Sequence, residues 1–186
     1  MPGRRRISRM PHEAVIRRGR VEPDAWRFVG LAHGELERAL PDGPIVVPLA
    51  TLRERRVELL ARLEPLGVWL EPDQDPAEVA PDLHALALVA VRFPKFTDGR
   101  GYSVAALLRR RHGYAGELRA FGDLGRDQLF YLARVGFDSV RLAEHHDPEA
   151  ALAALGDFSV RYQASFDEPL PLFRRREAAA EGACRG

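Results

Sequence analysis

Cysteine is nearly missing from this 186-residue chain. The one present, Cys184, sits in an Ala-rich tail, so an internal disulfide, a Cys-x-x-Cys redox pair and a four-thiolate zinc or iron–sulfur site are excluded within one chain. Lysine is almost as scarce: Lys95 is the only lysine among 28 basic residues, and asparagine does not occur. A GC-rich coding bias turns interchangeable lysines into arginines. Lys95 is then either a chance survivor or a position that needs a compact, titratable ammonium. An excess of charge is missing too, since 28 basic against 27 acidic residues leave +1, and that removes the electrostatic case for nucleic acid. The longest apolar run, Leu83 to Val91, carries His84 and is too short to span a bilayer, so no membrane role is expected. Arg4, Arg5, Arg6 and Arg9 have no apolar stretch behind them and do not read as a secretory signal, which makes the cytoplasm the expected compartment. Neither a Gly-x-Gly-x-x-Gly after the first strand nor a P-loop occurs, so no nucleotide, flavin or nicotinamide cofactor is expected.

What is present is the composition of a globular domain, 46% apolar and 30% charged. Residues 1–19 are basic and aperiodic and read as a flexible arm, 20–173 as a single α/β domain, and 174–186 as a flexible tail. Val21 to Leu40 holds Trp26 and Phe28, then a short helical pattern, before the turn Pro41-Asp42-Gly43-Pro44. Strand-like runs follow at Ile45–Leu49, Val68–Leu70, Ala87–Phe93, Glu117–Phe121 and Ser139–Leu142. Between them lie helical patterns at Arg53–Leu66 (stopped by Gly67), after the Asp75-Pro76 cap, from Ser103 to Gly113, through Leu129, Leu132 and Val135 to Gly136, and from Asp147-Pro148 to Gly156. Residues 158–173 read as irregular or extended. Five near-continuously apolar strands alternating with helices predict an α/β fold with a mostly parallel sheet. An open doubly wound sheet is the favoured arrangement, with a half-barrel as the alternative. Five strands are too few to close an eight-stranded barrel.

In such folds ligands bind beyond the carboxyl ends of the strands. Three loops there are unusually polar. The first runs from Phe93 through Lys95, Asp98, Arg100 and Tyr102 to Ser103, which is expected to cap the next helix. Gly99 and Gly101 would let the backbone approach an anion closely, and the free N–H groups of the helix start would attract it. The alternative is a tight turn in which Asp98 and Arg100 simply pair with each other. The second loop carries Asp123, Arg126 and Asp127. Asp127 suits a helix start, whereas Arg126 opposes the dipole there and is expected to pair with Asp98, Asp123 or a bound anion. The third holds Glu144, His145 and His146; adjacent histidines are a poor metal signal, and no metal site is expected. Arg109-Arg110-Arg111 reads as a solvated helix end, Arg174-Arg175-Arg176 as a solvated tail, and Trp26 and Trp69 as core or interface anchors.

From Phe93 onward the runs FPKFTDGRGYS, LLRRRHGYAGELRA, GDLGRDQL and RVGFDS resemble the bacterial domain-of-unknown-function family numbered 934. The resemblance extends from Asp24-x-Trp26 and Val46–Leu49 to Tyr162-Gln163 and the ending Pro171 to Arg176. Two positions depart from the family: Gly125 stands where a larger aliphatic residue is usual, and Val135 where a cysteine is common. Members are often labelled as oxidoreductases of sulfite reduction, and their genes tend to lie beside those for sulfite reductase and adenylyl-sulfate reductase. The resemblance therefore implies an accessory role in assimilatory sulfate or sulfite reduction, binding a small oxyanion or one of those reductases at the polar edge. Six-electron reduction of sulfite normally uses a sirohaem and an iron–sulfur cluster, and this chain cannot ligate the cluster. Two other readings stand beside it. One is a small enzyme with Lys95 and Asp98 or Asp123 as acid and base, and with Arg100, Tyr102, Ser103, Arg126, Asp127 and Glu144 binding an anionic substrate. The other is a non-catalytic structural subunit.

Overall fold

A computed structural model of the chain describes residues 14–30, 40–143 and 146–153. In chain order the elements are β1 (Ala14–Arg17), β2 (Arg20–Pro23), β3 (Arg27–Phe28), β4 (Ile45–Pro48), α1 (Leu49–Glu54), α2 (Arg56–Leu60), β5 (Leu66–Leu70), β6 (Leu88–Phe93), α3 (Arg100–Arg110), β7 (Glu117–Gly122), α4 (Leu129–Val135), β8 (Ser139–Arg141) and α5 (Pro148–Ala153). Short 3₁₀ turns occupy Pro76–Glu78, Ala80–Ala85 and Arg126–Gln128. The five expected strands are β4 to β8, and they pair in parallel as consecutive neighbours.

Three short strands join them and make one mixed eight-stranded sheet, ordered β2-β1-β8-β7-β6-β5-β4-β3. The order never reverses, so every crossover of the same hand places its helix on the same side. A doubly wound sheet needs a reversal; the half-barrel alternative is the arrangement found. Side-chain alternation shows the same layering. Ile45, Val47, Val68, Val89, Val91, Leu118, Ala120 and Val140 point to the helices and build the main core with Leu52, Val104, Leu108, Leu129 and Leu132. Val46, Trp69, Leu88, Ala90 and Phe121 point the other way and pack with Trp26 and Phe28.

The sheet is strongly curled. Laid flat, β2 and β3 would lie roughly 34 Å apart across seven strand spacings. Only residues 24–26 connect them, and that length of chain reaches about 14 Å at most. Asp24–Trp26 thus crosses the mouth of the half-barrel as a strap. Asp24 holds it there by accepting from Arg119 at 2.6 Å, and both side chains are buried. Arg141 of β8 lies 5.0 Å above the ring of Phe28 in β3, a contact that only a curled sheet permits.

Several sequence expectations change. Ala14–Arg17, inside the stretch read as an arm, is a strand, because Val15 and Ile16 are buried and Arg18-Gly19, both at positive φ, make a two-residue hairpin turn. Residues 1–13, 158–173 and 174–186 lie outside the described residues. The helix expected over Arg53–Leu66 breaks at Arg55 and ends at Leu60. Val57 and Leu63 stand in solvent, and Leu66-Gly67 belongs to β5, paired with Ile45 and Val46. Arg109 is buried rather than solvated. It donates to the carbonyls of Gly136 (3.0 Å), Tyr114 (2.5 Å) and Gly116 (2.9 Å) and to Asp138, and so ties two loops together. Arg110 and Arg111 are exposed, as expected. Among the described residues no helix is long and apolar enough to cross a membrane.

Candidate functional site

The β6–α3, β7–α4 and β8–α5 loops share one edge of the sheet, because their strands are parallel neighbours. Asp123 accepts from the Phe96 N–H at 3.1 Å while its own N–H donates to the Phe93 carbonyl at 2.8 Å. Gln128, buried in the 3₁₀ turn, accepts from the Gly125 N–H at 3.0 Å and donates to the Phe96 carbonyl at 3.1 Å. The first half of that bracket is the capping-box geometry of a residue three positions into a helix reaching back to its cap. Together these bonds lock the first loop onto the second. His146 comes close on the third, its Nε2 3.8 Å from where a Cβ on Gly125 would stand.

The expected site residues divide. Asp98 accepts from the Arg100 backbone N–H at 3.1 Å and from its guanidinium at 3.0 and 2.7 Å, so the tight-turn alternative is the geometry found. Those bonds pull the Asp98 carboxyl down to about 2 and push Arg100 upward. Arg100 is therefore engaged. Lys95 and Arg126 are exposed and form no ion pair among the described residues. The two phenylalanines that neighbour Lys95 in sequence do not enclose it: Phe93 is buried in the helix-side core, and Phe96 turns 46% of its surface to solvent.

Tyr102 is half-buried, edge-on to Phe93 at 5.4 Å, and burial raises its phenol pKa. Ser103 does not cap α3. The helix starts at Arg100 with Gly99 before it, because the Asp98 carboxylate already receives the Arg100 N–H. Ser103 and Asp127 are exposed, and Glu144 lies outside the described residues. Gly101 serves packing rather than an anion, since a Cβ there would stand 2.6 Å from Cζ of Phe93. Among the described residues no group of three or more metal-ligating side chains occurs.

Sequence reading missed the aromatic members of this edge. Phe96 and Tyr131, the latter 59% exposed in the first turn of α4, flank the Gln128 bracket. An exposed ring within an apolar pattern has the same sequence signature as a core one. Gln128 was overlooked because a glutamine in a helix start is ordinary in sequence. The Asp24–Arg119 pair was invisible for another reason: 95 residues separate its members.

The chain is thus a singly wound α/β half-barrel whose C-terminal edge presents exposed aromatic and charged side chains. It belongs to the family described as "Bacterial protein of unknown function (DUF934)", whose profile matches residues 67–173, more than half of the chain. No curated protein and no solved structure matches it.

Proposed function

We propose that this protein is an accessory, partner-binding component of assimilatory sulfate or sulfite reduction, and that its C-terminal edge receives a reductase such as sulfite reductase or adenylyl-sulfate reductase. The observation that carries the binding reading is the pairing of two exposed rings, Phe96 and Tyr131, with two cations, Lys95 and Arg126, that have no ion pair among the described residues. Aromatic and arginine side chains on a rigid platform are the composition of interface hot spots. A macromolecular partner suits them better than a free oxyanion, because a small oxyanion has no apolar body to bury against the rings and meets only screened, exposed cations. The acid–base alternative has less support: Asp98 is chelated by Arg100, and Asp123 holds the Phe96 backbone. The pathway rests on the family resemblance.

Deletion of the gene tests the pathway. Growth is expected to fail on sulfate or sulfite and to be normal on sulfide, and equal growth on all three removes the sulfur assignment. Complementation tests the edge. Phe96→Ala together with Tyr131→Ala should not rescue and should not co-purify the reductase, whereas Lys95→Arg should rescue because it retains the charge. Failure of Lys95→Arg with the fold intact would favour chemistry at the amine.

A further inference from the structure

Two clefts open at the N-terminal end of the strands, opposite the edge just described. One, of about 500 Å³, is lined by Leu83, Leu86, His84, His112 and Tyr114. The other, of about 170 Å³, is lined by Arg17, Arg18, Glu117 and Asp138. Ala115 and Gly116 belong to both, so the two form one groove with an apolar arm and a charged arm. The larger volume lies in the range of small-molecule sites.

The charges in the polar arm do not cancel in a simple way. Glu117 already accepts from Arg17, from Arg119 at 2.7 Å and from the Ser139 hydroxyl at 2.6 Å. Asp138 accepts from Arg109 and from the Leu118 N–H at 2.9 Å. Both carboxylates are engaged, Glu117 by Arg17 of the groove itself and by Arg119 and Ser139, Asp138 by Arg109 and the Leu118 N–H. Arg18 forms no ion pair among the described residues, and the Nε of Arg17 is buried without an acceptor. The Arg18 backbone is held at the groove, at positive φ in the hairpin turn and with its N–H donating to the Asp138 carbonyl at 3.1 Å, and its side chain stands exposed at the rim. In the apolar arm the Tyr114 hydroxyl donates to the Leu86 carbonyl at 3.0 Å, so the ring is a wall and not a free donor.

We propose that this groove binds a small molecule with an apolar body and one carboxylate or similar oxyanion head, the body against Leu83, Leu86 and Tyr114 and the head at Arg18. The site is independent of the partner-binding edge, which lies at the other end of the strands. It supplies a place where a metabolite of that chemistry can bind without blocking a partner.

Octanoate and octanol, titrated into the full chain, separate the head from the body. Calorimetry should show one octanoate site, and the amide signals of Gly113 and Gly116 should shift. Octanol should bind about tenfold more weakly, the loss of one charge-assisted contact. Arg18→Ala should weaken octanoate by about tenfold and leave octanol unchanged. Ala115→Trp, at an exposed position on the waist of the groove, should abolish both, with circular dichroism confirming the fold; if that variant unfolds, Arg18→Ala decides. The proposal is overturned by no octanoate binding at millimolar concentration, by equal binding of the two probes, by indifference to Arg18→Ala, or by shifts confined to the Phe96 edge.

Discussion

Phe28 and Phe121 meet with ring centroids 4.8 Å apart, although β3 and β7 stand four places apart in the sheet. In a flat sheet those strands would be separated by roughly 19 Å. The contact therefore reports the curl itself. Phe121→Ala should destabilise by about 3 kcal/mol, and Phe28→Ala by less because Phe28 is only partly buried. A double-mutant cycle in urea should give a coupling of about 1 kcal/mol. Additive effects would mean the strap does not hold the two rings together in solution.

Removing Asp24 should cost more than its short side chain suggests. Arg119 is fully buried and keeps Glu117 and Ser139, yet it would lose its Asp24 acceptor. Asp24→Ala is expected to destabilise by about 3 kcal/mol, the lower end for breaking a buried pair. Asp24→Asn, which keeps an acceptor oxygen, should cost less. Chemical denaturation of the two variants checks the order, and equal losses would show that charge is the only contribution.

Glycine replacements on the C-terminal edge should separate cleanly. Gly122 has φ +119°, and a Cβ there would lie 2.3 Å from the Phe93 carbonyl oxygen, so Gly122→Ala faces both backbone strain and a rigid clash. Its cost should be about 3 kcal/mol or more. At Gly125 the first atom met is Asp127 Oδ1 at 2.7 Å, the movable end of an exposed side chain. Gly125→Ala should cost under about 1 kcal/mol. Thermal melts of both proteins decide, and a severe loss at Gly125 would contradict the geometry.

Asp98 should titrate with a midpoint at about 2 by carboxyl NMR, because the Arg100 side chain and backbone N–H bond its charged form. A depressed folded-state value stabilises the fold at pH above the ordinary aspartate range, and that contribution disappears as pH falls from near 3.8 through about 2. Arg100→Gln should return the midpoint toward the ordinary value, and salt should weaken the shift at this exposed pair. An unshifted Asp98 in the parent protein would show that the chelate does not persist in water.

Much of the scaffold was legible in the chain. Ile45–Val47, Val68–Leu70 and Leu88–Val91 are continuous apolar runs, and only strands buried on both faces call for such runs, so the parallel core followed from pattern. The polar loops were also located correctly, because a parallel sheet must put them at one edge. Less legible was what those loops do. Asp98 and Arg100 resemble a binding pair in sequence and turn out to satisfy each other, since two residues' spacing lets one carboxylate reach both the backbone and the guanidinium. Ser103 looked like a cap because its own position in a helical pattern cannot reveal that Asp98 has already started the helix.

By itself, then, the sequence determined the α/β alternation and the edge where the loops gather, both of which are properties of neighbours along the chain. Tertiary structure alone decided the curl, the strap from β2 to β3, the burial of Arg119 and the groove beside Arg18. Each of these depends on groups far apart in sequence meeting in space: Asp24 with Arg119, Phe28 with Phe121, and the hairpin turn with Asp138. Short strands of two to four residues carry no period of their own, so only their pairing partners, supplied by the folded sheet, could make them strands.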